Sequence, residues 1–210
     1  LGIYLLNSNN VTLDGLKIFS IGKDGISAGG YSENISIINN NISNNINTGI
    51  NINTNNSSSW IISNNFIENT GYVWNLKQLN TQGGINIYDT RKYIVSNNTV
   101  TNSAAVWIWF YSGANTIIQN NIINNSCLIL DDCAGIYVGG SHSGFTSTGN
   151  QVLGNIISDS IGNFSGTVYT YTQAEWIYLD DYSNNIYVSG NTVSNADRWI
   201  FLHNSHSNTV

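Results

Sequence analysis

The sequence predicts an all-β fold, a right-handed parallel β-helix (solenoid) of about seven to eight rungs with Asn-rich corners. Three observations predict it. A short alternating strand followed by an Asn-rich corner and one more apolar position recurs along the chain, ending at residues 18, 42, 67, 100, 123, 157 and 193. The shortest steps between these positions are 23, 24 and 25 residues, too short for a helical-pair repeat, and they carry a period-two pattern. Asn stands at nearly every corner, where it tolerates left-handed backbone and its amide can bond from one rung to the next. A three-strand turn of this length closes into a coil whose crossovers are right-handed.

The elements follow in order. First strands begin at Gly2-Ile3, Gly25-Ile26, Gly49-Ile50, Gly84-Ile85, Ala105-Val106, Gly135-Ile136, Trp176-Ile177 and Trp199-Ile200. Second strands with their corners include Ile35-Ser36-Ile37, Ile61-Ile62-Ser63-Asn64-Asn65, Ile94-Val95-Ser96-Asn97-Asn98 and Ile117-Ile118-Gln119-Asn120-Asn121. Asn40, Asn65, Asn98, Asn121, Asn155 and Asn191 line up as a ladder. In Trp176–Tyr182 and Trp199–Asn204, Ile177, Leu179, Ile200 and Leu202 face a core, while Tyr178, Asp180, Phe201 and His203 face out. Asp180 and His203 are 23 residues apart, one rung, so the pattern predicts them side by side. The 210 residues read as a single domain, expected to be a segment of a longer chain with further repeats at both ends.

Composition narrows the function. Only 9% of residues are charged, yet 41% are hydrophobic and regularly placed, which argues for order with a surface of Asn, Ser and Thr. Six basic residues against a net charge of −6 cannot supply the clustered cations that phosphate binding needs, so nucleic acid is excluded as partner. No apolar run is long enough for a membrane-spanning helix. Cys127 and Cys133 frame a short loop; they read as a disulfide, which suits an extracellular or cell-surface protein, or as two buried thiols.

With its Gly-Ile strands and Asn-Asn corners, the whole chain resembles the right-handed β-helices of the pectin-lyase-like superfamily. That resemblance implies carbohydrate activity, across hydrolases, lyases, epimerases, esterases, phage tailspikes and accessory proteins, without choosing among them.

Extra residues fall at 68–82, 124–134 and 158–174, before first strands, and at 139–149, after one. Long loops on a rigid scaffold concentrate function, so the first-strand face is the candidate cleft. One outward row is read as Tyr4, Ser27, Asn51, Asn86, Trp107, Tyr137, Tyr178 and Phe201. A second is read as Leu6, Gly29, Asn53, Tyr88, Trp109, Gly139, Asp180 and His203. Aromatic rings at rung spacing suit sugar faces and amides suit hydroxyls, giving Trp107, Trp109, Tyr137, Tyr178, Phe201, Tyr88, Asn86 and the loop residue His142 as candidate substrate contacts. A solitary Tyr in such a row merely packs under a loop.

Glycoside hydrolysis needs two carboxyls across the scissile bond. Asp180 leads, with Asp181, Glu175, Asp131 or Asp132 as partner and His203 to orient or move a proton. The bland alternative for Asp180 and Asp181 is a solvated turn. No metal site is predicted, although clustered Asp could take calcium. The expected function is hydrolysis of a neutral or weakly charged polysaccharide. A lyase or epimerase is disfavoured because Lys77, Arg91, Lys92 and Arg198 are few and an acidic cleft repels an acidic polymer; a noncatalytic adhesin or structural repeat module is the alternative from another class.

Overall fold

The structure, a computed structural model, describes residues 1–55, 57–71, 83–129, 131–140, 146–165, 168–196 and 198–210. Three parallel sheets wind as a right-handed β-helix. The first contains Ile3–Leu6, Ile26–Gly30, Ile50–Thr54, Ile85–Tyr88, Ile108–Tyr111, Cys133–Gly139, Ala174–Leu179 and Arg198–Leu202, hydrogen-bonded in that order. The second runs from Asn9–Asp14 to Tyr187–Ser189 and the third from Lys17–Phe19 to Thr192–Ala196, seven strands each.

Residues equivalent in the repeat stack directly. On the first sheet Ile26, Ile50, Ile85, Ile108, Ile136 and Ile177 are in register and fully buried. Ile42, Ile67, Val100, Ile123 and Ile157 form the matching column of the third sheet. Each such side chain removed from water contributes about 1.5–3 kcal/mol, so the interior columns, not ion pairs, hold the rod together.

The Asn ladder forms as the repeat predicts. Asn98 Oδ1 accepts from the backbone N–H and the Nδ2 of Asn65 (3.0 and 2.9 Å), while Asn98 Nδ2 donates to Ile62 O and Asn121 Oδ1 (2.9 and 3.0 Å). The left-handed conformation belongs to the residue before each ladder Asn: Asn39, Asn64, Asn97 and Asn120 have φ of 54–56°. At the next two corners the same place is taken by Gly154 and Gly190, with φ of 59° and 66°. The left-handed residue turns the chain, and the ladder Asn is thereby aimed inward.

The fifth rung departs from expectation. Ile108, not Val106, is level with Ile85 and Ile136, so Trp109 aligns with Asn86 and Tyr137, and Tyr111 aligns with Tyr88 and Gly139. Trp107 falls at the bend before the strand and is fully buried within the core. Glycines at the equivalent places of the flanking rungs make room for it: a Cβ on Gly84 would lie 3.3 Å from the indole. Trp107 is therefore a core residue and is withdrawn as a substrate contact.

Candidate functional site

The outer face of the first sheet carries a continuous row of rings, because every second residue of a strand points the same way. Tyr88 meets Trp109 edge-on at 5.0 Å between centroids, and Trp109 meets Tyr111 and Tyr137 at 5.8 and 6.0 Å. Tyr137 meets Tyr178 at 5.0 Å, Tyr178 meets Phe201 at 5.0 Å, and Phe201 stacks on His203 at 5.9 Å. Edge-to-face contacts of this kind hold the rings upright. Tyr178, flanked on both sides, is only 6% exposed, whereas Tyr88, Trp109, Tyr111, Tyr137 and Phe201 are half-buried and keep surface for a ligand. Tyr111 is the member that sequence reasoning missed, hidden by the displaced register. Asn86 faces the same side but is fully buried, its Nδ2 near Thr48 Oγ1 (3.4 Å). That burial removes it as a contact. His142 lies outside the described residues.

At one end of the row lies a polar cluster. Asp180 Oδ1 sits 2.7 Å from His203 Nδ1, the predicted rung-to-rung adjacency, and Asp180 Oδ2 accepts from the Tyr137 hydroxyl. Gly139, in register between Tyr111 and Asp180, permits this: a Cβ there would stand 2.8 Å from the Tyr137 ring. Asp181 follows at the strand end, its Oδ1 accepting from Asn204 Nδ2 (2.7 Å) and lying 3.6 Å from His203 Nδ1. The hydrogen bond to Asp180, joined by the charges of Asp180, Asp181 and Asp132, raises the His203 pKa despite some desolvation and so favours imidazolium. Desolvation first, then the bond to Asp180, pushes the Tyr137 phenol up and keeps it a donor.

Asp132 approaches from the loop closed by the Cys127–Cys133 disulfide. The two half-cystines pack with Val106 and Ala174 against Trp109 and Tyr137, which pins the loop to the aromatic face. Desolvation of its carboxyl, then the charges of Asp180 and Asp131, hold Asp132 above the usual carboxylate range. Asp131 turns the other way: its Oδ1 accepts from the backbone N–H of Gln173, tying the neighbouring loop down. Glu175 is 1% exposed and paired to Arg198 at 3.0 Å. Burial nevertheless outweighs that attraction and pushes Glu175 up to about 7. Arg198 in turn lies over Phe201, 4.8 Å from its centroid, and lines a cavity of about 550 Å³ with Ile161, Phe164, Tyr171 and Thr172.

The structure thus brings Asp180, Asp181 and His203 into contact. It sets Asp132 within electrostatic reach and assigns Asp131 and Glu175 to packing and pairing. Among the described residues, Asp180, Asp181 and His203 also offer ligand atoms within 4.8 Å of one another. Two carboxylates and an imidazole suit a first-row divalent metal better than calcium, which takes oxygen donors.

A coil with an aromatic face ending on a carboxylate and histidine cluster defines a class of protein, the right-handed parallel β-helices. The family model described as "Right handed beta helix region" matches residues 1–173, and the chain belongs to that family. Among solved structures it is similar to a DFA-IIIase from Arthrobacter chlorophenolicus A6 in complex with DFA-III, at TM-score 0.73 and 13% identity, covering 99% of this chain and 52% of that one. A protein described as a glycoside hydrolase matches at TM-score 0.71 and 13% identity, covering 96% and 37%. The catalytic domain of a GH87 α-1,3-glucanase in complex with nigerose matches at 0.54 and 16%, covering 98% and 38%. At these identities the likeness is one of fold. The chain spans about half or less of the length of these structures. No curated protein sequence matches it.

Proposed function

We propose that this β-helix binds a polysaccharide along the outer face of its first sheet and hydrolyses a glycosidic bond at the Asp180–His203–Asp181 cluster. The observation that carries the reading is the ring row from Tyr88 to Phe201 running directly into that cluster. Trp109, Tyr111, Tyr137 and Phe201 supply sugar-stacking faces. Both oxygens of Asp180 are engaged, by Tyr137 and His203, so Asp180 acts as a positioning residue that fixes the imidazole. Asp132, held toward its protonated form, gives a proton to the departing glycosidic oxygen as the bond to the anomeric carbon breaks. Asp181 directs the water whose hydroxyl joins that carbon, its proton passing to the Asp181 carboxylate, while the His203 imidazolium, fixed by Asp180, stays a donor beside it. The disulfide suits an extracellular or cell-surface location.

A second reading, a noncatalytic glycan-binding module, is favoured by the same saturation of Asp180. Reducing-end release from a panel of neutral polysaccharides separates the two. Hydrolysis predicts release by the wild type that falls about 10²–10⁴-fold in Asp181→Asn and in Asp132→Asn. Binding without release selects the module, and undiminished release in both variants removes these residues from the chemistry.

A further inference from the structure

A concavity of about 760 Å³ lies away from Asp180, where the chain leaves the first sheet for the second. Tyr31, Glu33, Asn55, Asp89 and Arg91 line it, contributed by the second, third and fourth rungs. Tyr31 presents its ring to solvent at 72% exposure. The floor is rigid, because rung-to-rung bonds hold each turn: Tyr31 N–H donates to Asn7 Oδ1 (3.0 Å), Asn55 N–H to Gly30 O (2.9 Å) and Arg91 N–H to Ser57 O (3.0 Å). Beneath it the Ser57 and Tyr93 hydroxyls share a bond of 2.9 Å.

The chemistry of the lining selects a ligand class. Glu33 and Asp89 are acceptors two rungs apart, about 10 Å along the coil, which is too far to chelate one cation. A single guanidinium beside two carboxylates does not suit a phosphate polymer. Among the described residues no ion pair ties Arg91 to either acid, so donor and acceptors are offered separately, with an amide and an exposed ring. That combination matches a neutral sugar, whose ring face stacks and whose hydroxyls both give and take hydrogen bonds. The concavity adjoins the aromatic row: Asp89 follows Tyr88, whose ring meets both Trp109 and Tyr111. From the fourth rung to Asp180 on the seventh is about 14 Å along the axis.

We propose that this concavity is a distal saccharide subsite, so that one glycan chain lies along the coil from Tyr31 and Asp89, past Tyr88 and Tyr111, to Asp180 and His203. The inference rests on the glycan reading above and extends it to a long, neutral chain. Its test is calorimetric titration of neutral gluco- and fructo-oligosaccharides, from disaccharide to octasaccharide, into Asp181→Asn protein with and without Tyr31→Ala and Asp89→Asn. Both altered residues lie at the surface, so the fold is retained. The expected result is tighter binding of the octasaccharide than of the disaccharide. The two substitutions should erase that advantage by about tenfold and leave disaccharide affinity unchanged. A length advantage that survives both substitutions overturns the distal subsite alone. Absence of binding by every oligosaccharide overturns it together with the glycan reading.

Discussion

Single residues at this site are governed by how much water they lose. Glu175 is ion-paired, yet its pKa rises to about 7 because a carboxylate at 1% exposure sacrifices more hydration than Arg198 restores. Its folded pKa lies above its unfolded value near 4.5, so the folded state binds the extra proton. Stability should therefore fall as pH rises between about 4.5 and about 7, by roughly 3 kcal/mol. Urea midpoints across that range should decline in the wild type and flatten in Glu175→Gln. An unchanged slope would place the titration elsewhere. His203 tilts stability the same way, its partnership with Asp180 being complete below the unfolded imidazole value and lost as pH rises through the raised one. It is exposed, so its share is small, and the Glu175 variant isolates the larger effect.

At the scale of the element, repeated side chains do the work that length does in ordinary strands. Asn98 is fully buried and its side chain makes four hydrogen bonds, so Asn98→Ala leaves two donors of Asn65 without their acceptor and takes a donor from Ile62 O, while Asn121 Oδ1 keeps only the Asn98 backbone N–H. About 3 kcal/mol should be lost, read as a lowered urea midpoint. Asn64→Gly, at a left-handed surface turn, should be nearly neutral. This is also where the sequence was most and least legible. Ile26, Ile50 and Ile85 and the ladder Asn recur at nearly constant spacing, and stacking turns equal spacing into contact. That logic delivered the pairing of Asp180 with His203. It failed at Trp107, because a slip of two residues preserves which face a side chain takes while moving it along the strand. Val106 and Ile108 are both acceptable inward residues. The spacing itself resolves the choice, since Ile108 follows Val100 by eight residues as Ile26 follows Ile18 and Ile50 follows Ile42, and it places Tyr111 with it.

Over the whole molecule, the coil positions chemistry by stacking rungs and lets loops complete it. The disulfide-closed loop brings Asp132 to a face already set by Trp109, Tyr137 and Asp180. No pattern in the sequence could show that Asp180 is saturated by Tyr137, since that contact depends on a ring folding across Gly139. Burial likewise separates Trp109, half-exposed on the aromatic row, from Trp60 and Trp107, sealed in the interior. The central claim is that glycan lies on this row. The most direct measurement follows the indole N–H resonances as neutral oligosaccharide is added to Asp181→Asn protein. Binding on the row predicts a saturable shift of the Trp109 signal, assigned by its loss in Trp109→Phe, with Trp60 and Trp107 unmoved. A saturable glycan titration that leaves Trp109 in place, or no titration with any neutral oligosaccharide, would contradict it.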